Sequence, residues 1–239
     1  MMRRDDTPSV LTRSTCRRHL LVGIAAFVAT WILFPRRALG RQSGEPCPVT
    51  PPQTEGPYYP PKAQLDAQRD KDGDLTRLEG QSGRATGVVL YVLGQVRDAD
   101  CRPVPNATVE IWQASENGRY RHPRDRDNPA PLDPNFQYWG HSVTDQDGRY
   151  LLKTIKPGAY QAGPGWIRPP HIHFKVTHPE FRDFITQMYF SGDPHQGEDY
   201  ILNKVPSGQR DRVIVMMETP DKDFDPDARI CRFDLTLSR

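Results

Sequence analysis

From about residue 84 onward, short runs of the chain alternate apolar and polar residues, which is the spacing of strands with one buried face. In ATVEIWQA (107–114), Val109 and Ile111 alternate with Thr108 and Glu110. Turns rich in Gly, Pro and Asp separate the runs, and no long helical periodicity follows residue 41. The pattern predicts an all-β fold, a β-sandwich with long loops between its strands.

The run RPPHIHFKV (168–176) carries the most distinctive chemistry on this pattern. Side chains alternate faces along a strand, so the apolar residues at 172, 174 and 176 share one face and His171, His173 and Lys175 the other. Two interpretations stay open at this point. The histidines either lie on a solvated polar face or are two ligands of one metal ion, and the second interpretation needs further ligands.

Residues 94–160 follow a strand-and-turn scheme that is similar to transthyretin-like (prealbumin-like) sandwich modules. Such modules include noncatalytic ones, so this stretch supports a fold and no chemistry. An exported, noncatalytic binding module of this fold is therefore one alternative for the whole protein. We predict a sandwich domain at 83–239, preceded by an irregular, proline-rich arm at 41–82. In that arm, DKDGD lacks the downstream glutamate and flanking helices of a calcium loop.

The first forty residues have the three-part layout of a secretory signal. A basic flank precedes an apolar run of 15 residues, Leu20 to Phe34, and small residues follow it. That run is short for a membrane span, which needs roughly 20 residues. Arg17 and Arg18 before it resemble a twin-arginine signal. We predict a signal peptide at 1–40 and a periplasmic or extracellular protein, with contact to a membrane only during export. The alternatives are an uncleaved membrane anchor and an ordinary export signal in which the two arginines occur by chance.

Charge and cysteine content bound the remaining possibilities. Residues 1–40 hold seven Arg and two Asp against a whole-chain charge of +2, which leaves residues 41–239 at about −3. No basic surface for nucleic acid is predicted. In an oxidising compartment Cys47, Cys101 and Cys231 allow one disulfide and one remaining thiol, with three possible pairings. Their spacing does not match a zinc site.

Tyrosines in the predicted loops offer further ligands. Tyr120 lies in the loop after ATVEIWQA, and Tyr160 precedes the two histidines. Two imidazoles with two phenolates form an N₂O₂ donor set, and hard anionic oxygen donors favour Fe(III). A trivalent cation is able to deprotonate phenols whose ordinary pKa is near 10. Spacing alone does not select these two from the nine tyrosines of the chain.

Several motifs together provide the selection. The chain resembles the intradiol ring-cleavage dioxygenases, and within that family the iron-binding subunit of its protocatechuate-cleaving branch. The likeness runs from QTEGPYY at residue 53 to the C-terminal strand. It is carried, in order, by VPNATVEIWQA, GRYRH, PLDPNF, TIKPGAY, RPPHIHF and TQMYFSGDP. The resemblance implies that a non-haem Fe(III) is bound by Tyr120, Tyr160, His171 and His173.

The same resemblance implies a reaction and two further site residues. A catechol, protocatechuate or a related compound, is cleaved with O₂ between its two hydroxyl-bearing carbons, giving a cis,cis-muconate-type product. Tyr160 leaves the metal and carries off a proton, while Arg168 and Gln187 line the substrate site. Packing and loop support are the alternative roles of the last two. Gln161 after Tyr160, and Pro170, depart from the family pattern. The oligomeric state stays open. A metal hydrolase or copper protein is a third possibility, and it gains nothing from two tyrosinates.

Overall fold

The computed structural model describes residues 46–68 and 70–238. The predicted signal peptide at 1–40 lies outside the described residues. One short helix, α1 (Lys62–Ala67), accompanies eleven strands, so the predicted all-β class is confirmed. The strands are β1 (Val89–Asp98), β2 (Thr108–Trp112), β3 (Trp139–Val143), β4 (Arg149–Ile155), β5 (Tyr160–Gly163), β6 (Trp166–Arg168), β7 (His171–His178), β8 (Phe181–Phe190), β9 (Ile214–Val215), β10 (Arg229–Arg232) and β11 (Leu235–Leu237). Short 3₁₀ turns lie at Pro123–Asp125, Gln196–Glu198, Leu202–Lys204 and Ser207–Arg212.

Two sheets and one hairpin make up the sandwich. In the first sheet β1 pairs with β4 on one side, antiparallel, and with β10 and then β11 on the other side, both parallel. In the second sheet the order is β3-β2-β7-β8-β9, antiparallel except for the β8–β9 pair. Strands β5 and β6 form a separate hairpin that precedes β7 directly. The second sheet therefore carries β7 as its central strand.

The core lies between the two sheets. Val92 and Leu152 of the first sheet and Ile111, Phe174 and Met188 of the second are fully buried in one apolar cluster. They occupy the alternating positions of their strands, as the sequence pattern predicted. Burying a side chain of this size contributes about 1.5–3 kcal/mol each. This packing fixes the inner face of β7 and, through the pleat, the direction of the side chains on its outer face.

The outer face of β7 is not solvated at its histidines. His171 is 2% exposed and His173 is 1% exposed, so the interpretation of a solvated polar face is wrong for these two residues. The cause is the N-terminal arm, which runs over this part of the second sheet. Gln53 N–H donates to the Ile185 carbonyl, and a side-chain carbon at Gly56 would lie 3.4 Å from His173 Cε1. Both faces of β7 are therefore buried over its first four residues, 171–174.

The arm from residue 46 to Pro61 has no regular secondary structure, yet it is attached at several points. Cys47 forms a disulfide with Cys101 in the turn after β1, and the pairing that the sequence left open is thereby given. The Thr50 backbone N–H donates to the Thr236 carbonyl of β11. Cys231 is a free, buried thiol. Within residues 46–68 and 70–238, no helix has the length and apolar character needed to cross a membrane.

Candidate active site

The two histidines of β7 lie side by side beneath the arm. Their ring centroids are 4.9 Å apart. His171 Nδ1 lies 2.7 Å from the Pro169 carbonyl oxygen, which identifies Nδ1 as the protonated nitrogen of the neutral ring. Its Nε2 then has a free lone pair and lies 3.3 Å from Tyr120 Oη. A backbone carbonyl that orients an imidazole in this way is typical of metal-binding histidines.

His173 is held by stacking instead of hydrogen bonding. The Trp112 indole, opposite it on β2, stacks on the imidazole at a centroid distance of 4.7 Å and an interplanar angle of 12°. Both ring nitrogens of His173 are buried, and neither has a hydrogen-bond partner within residues 46–68 and 70–238. Buried polar atoms in native proteins almost always have a partner, and each exception needs an explanation. A bound group that accepts a lone pair from a ring nitrogen of His173 would explain this exception.

The two predicted tyrosines converge on the histidines from separate loops. Tyr120 follows β2, and its backbone N–H donates to Asp125 Oδ2 at 2.7 Å. Tyr160 begins β5 and pairs across the hairpin with Arg168 of β6. The Tyr120 ring lies 5.6 Å from that of Tyr160 and 6.3 Å from that of His173, and Tyr160 lies 5.7 Å from His171. The structure thus brings together all four side chains that the resemblance indicated.

Burial governs the charge of these groups. Desolvation raises the pKa of Tyr120 well above its ordinary value and that of Tyr160 to about 12, the latter against a lowering effect of the Arg168 guanidinium. Desolvation, with Arg168 next in size, lowers the pKa values of His171 and His173 well below the ordinary value. Without a bound cation the site therefore holds neutral phenols and neutral imidazoles.

This donor set fits a trivalent metal ion. Neutral imidazoles present lone pairs, and a cation between two phenols offsets the desolvation that otherwise prevents their ionisation. Among residues 46–68 and 70–238 no cluster of three or more His, Cys, Asp or Glu side chains offers another metal site. The two phenols are hard oxygen donors, so the set suits ferric iron better than zinc or copper.

Arg168 and Gln187, the other predicted site residues, are buried beside the four donors. Arg168 Nη2 donates to Gln187 Oε1 at 2.7 Å and to Tyr189 Oη at 3.2 Å. Gln187 Nε2 donates to the Thr54 carbonyl of the arm. Each end of the Gln187 amide thus has a protein partner, which is the loop-support role that the sequence left open. Hydrogen bonding of Gln187 to a substrate stays a prediction.

Three residues of the site were not predicted. Tyr58 of the arm stacks on Tyr120 at a centroid distance of 4.4 Å and lies 6.0 Å from Tyr160. Its place in the QTEGPYY motif was the available signal. Trp112 could have been found from its place in the VEIWQA motif. Asp199, which lies 2.9 Å from Arg168 Nε, is 31 residues away in sequence and belongs to no motif quoted above.

An open cleft of about 580 Å³ reaches one of the four donors, Tyr160. Tyr160 is part of its wall, together with Asp125, Asn128, Ala159 and Gln161. Ligand pockets typically measure about 300–1,000 Å³, so the cleft is large enough for a single aromatic ring.

Fold and site together define an all-β sandwich protein with a buried imidazole–phenol site suited to a non-haem metal. A family model described as "Dioxygenase" matches residues 54–239. The chain therefore belongs to the intradiol ring-cleavage dioxygenase family, which uses non-haem iron, and the resemblance noted in the sequence is confirmed.

Individual relatives agree with this membership. The chain is 46% identical over 146 residues to the protocatechuate 3,4-dioxygenase beta chain of Burkholderia cepacia, covering 60% of this chain and 62% of that one. It is 32% identical over 165 residues to the catechol 1,2-dioxygenase of Acinetobacter baylyi, covering 64% and 50%. Among solved structures, the dioxygenase domain of a dioxygenase–carbohydrate-binding fusion from Streptomyces sp. SirexAA-E matches with a TM-score of 0.56 and 28% identity. That match covers 80% of this chain and 99% of the domain. The chain spans less than two thirds of the length of both curated relatives.

Proposed function

We propose that the protein is a non-haem Fe(III)-dependent dioxygenase that cleaves a catechol with O₂ between its hydroxyl-bearing carbons. The observation that carries this proposal is the convergence of Tyr120, Tyr160, His171 and His173, with both nitrogens of His173 buried and without a partner in the described part of the chain. Family membership gives the reaction class, and the donor chemistry is in accord with it. The product expected from an unsubstituted catechol is cis,cis-muconate.

The four donors would hold the iron as two phenolates and two neutral imidazoles. Bound Fe(III) supplies a Lewis-acidic centre that makes a catechol reactive toward O₂. The chain contributes the geometry: β7 fixes both imidazoles, and the Pro169 carbonyl sets the tautomer of His171. The arm and the Trp112 indole cover His173, which limits the access of water to that imidazole.

Tyr160 is the residue that we assign to proton transfer. Burial raises the pKa of its phenol to about 12 when no cation is bound. In this environment the Tyr160 phenolate would be a strong base, able to take a proton from the entering catechol. Tyr120 is the less suitable candidate because the adjacent cleft reaches Tyr160 and not Tyr120. The substrate accordingly approaches from the side of Tyr160.

Arg168 supplies the fixed positive charge of the site. Its guanidinium lies close enough to lower the pKa values of Tyr120, Tyr160 and both histidines. A cation at this position stabilises negative charge that develops on a substrate oxygen, and it does so more strongly in a buried site than in water. The preferred substrate is proposed to be protocatechuate or a related catechol. The support for that preference is the 46% identity to the Burkholderia cepacia beta chain.

Iron loading and colour test the ligand set. Purified protein from iron-replete cells is expected to contain about one iron per chain and to be red-brown from phenolate-to-Fe(III) charge transfer. Tyr160→Phe should shift and weaken the visible band, whereas Tyr91→Phe on β1, in the first sheet, should leave it unchanged. A colourless protein that takes up no iron would instead favour the alternative of a noncatalytic binding module.

We infer further that the protein is exported. The support is the signal-like sequence of residues 1–40 and the Cys47–Cys101 disulfide, since structural disulfides persist mainly in oxidising compartments. Replacing Arg17 and Arg18 by lysine should retain the protein in the cytoplasm if the twin-arginine route is used. Cell fractionation measures this, and an unchanged distribution would contradict that route.

A further inference from the structure

A buried carboxylate lies against Arg168. Asp199 is completely buried in the segment between the 3₁₀ turns Gln196–Glu198 and Leu202–Lys204. Its Oδ1 lies 2.9 Å from Arg168 Nε, and its Oδ2 accepts from Arg168 Nη2 at 3.4 Å. The Nε–H is not directed at a hydrogen-bond acceptor of any residue that the structure describes, so its contact with Asp199 is an ion pair.

Stability alone gives a poor explanation for this pair. Taking both charges out of water costs several kcal/mol per ion, and apolar residues of similar volume are often at least as stabilising. The Asp199 carboxylate does have other partners, because Trp166 Nε1 donates to Oδ1 and the Leu202 backbone N–H donates to Oδ2. An asparagine could keep one of these hydrogen bonds. The full negative charge is needed only by Arg168.

The partners of Arg168 fix the guanidinium in one orientation. Asp199 lies along its Nε edge, and Gln187 and Tyr189 accept from Nη2. Among the described residues Nη1 has no hydrogen-bond partner, so this part of the guanidinium is available to the site. Burial raises the pKa of the nearby Tyr160 phenol to about 12, and the charge of the Arg168 guanidinium acts against that rise. Without Asp199 the flexible side chain would be held on one nitrogen only.

We propose that Asp199 is a positioning residue, whose buried carboxylate holds the Arg168 guanidinium in the orientation that serves substrate beside Tyr160. The expected effect of Asp199 on catalysis rests on the proposed function. The orientation of Arg168 by Asp199 does not depend on activity. It predicts that Asp199 acts on the reaction only through Arg168, and that iron binding does not require it.

A double-mutant cycle on the full, iron-loaded chain tests this coupling, with catechol and protocatechuate as probes. Asp199→Asn should lower kcat roughly 10- to 100-fold, as a misplaced catalytic group does, with less than about a threefold change in KM and unchanged iron content. In an Arg168→Met background the same change should alter kcat by less than about twofold. Equal losses in both backgrounds, or an unchanged kcat in Asp199→Asn, would overturn the proposal.

A second readout needs no turnover and no Arg168→Met variant that folds. In ¹⁵N NMR spectra of the metal-free protein, the wild-type Arg168 guanidinium should give separate Nη1 and Nη2 signals, because the contacts with Asp199 restrict its rotation. Asp199→Asn should free the rotation and merge the two signals. Trp166→Phe is the matched control, because it removes another partner of Asp199 and should leave the two signals separate. Signals that stay equally separate in Asp199→Asn would refute the positioning role. A wild-type protein that is inactive on every catechol but shows the restricted rotation would refute the proposed function alone.

Discussion

Removal of the Cys47–Cys101 disulfide should cost a large and calculable part of the stability. The bond closes a loop with a sequence separation of 54 residues. Loop-closure entropy for that separation amounts to about 4 kcal/mol at 25 °C. The arm that it anchors also carries Gln53, Thr54 and Tyr58, which contact the second sheet and Tyr120. Cys47→Ser with Cys101→Ser is therefore expected to loosen the cover of the site as well as the fold.

Equilibrium urea unfolding of the metal-free protein, with fluorescence and circular dichroism as probes, measures this loss. The midpoint should fall with little change in the slope. Cys47→Ser alone is the matched control, and chain entropy predicts for it the same loss as for the double variant. A loss below about 1 kcal/mol, or a single variant much less stable than the double, would show that the closed loop does not stabilise the protein in this way.

Three further predictions concern the buried groups. The pKa values of His171 and His173 are lowered in the folded protein, so below about pH 6.5 only the unfolded chain binds these two protons. The free energy of unfolding of the metal-free protein should therefore fall as the pH is lowered, by up to about 2.7 kcal/mol per pH unit. Urea midpoints measured across pH check this, and a flat profile would contradict it. The Cys231 thiol, whose burial raises its pKa to about 12, should react with a thiol reagent at pH 8 only after unfolding. Gly118 has φ +79° next to the Ala159 carbonyl, so Gly118→Ala should destabilise the fold by more than 1 kcal/mol and displace the Tyr120 loop; unchanged thermal unfolding would refute this.

The strand content was predictable because its signal is local. Alternation of apolar and polar residues identified β2 and β7, and the inner face of β7 carries the predicted Ile172, Phe174 and Val176. The burial of its outer face was not predictable from alternation. It depends on the arm, which reaches His173 from more than a hundred residues away. The sequence left the disulfide pairing open for the same reason. The pairing depends on which turn of the sandwich the arm passes.

The candidate site divides in a similar way. The spacing of His171 and His173 made them candidate metal ligands, and the family motifs selected Tyr120 and Tyr160 from nine tyrosines. Those motifs are contiguous in sequence, so they could be recognised without the fold. Asp199 could not, since it meets Arg168 only after the chain has passed along β7, β8 and the following turn. Contacts of that kind are decided by tertiary packing and leave no local pattern.

Product analysis with labelled oxygen tests the proposed reaction most directly. Iron-loaded protein is incubated with catechol under ¹⁸O₂, and the product is identified by mass spectrometry together with oxygen uptake. The proposed function predicts cis,cis-muconate that carries two ¹⁸O atoms, with one O₂ consumed for each ring cleaved. A yellow semialdehyde from cleavage beside the hydroxyl-bearing carbons, or no oxygen uptake by protein that contains one iron per chain, would contradict it.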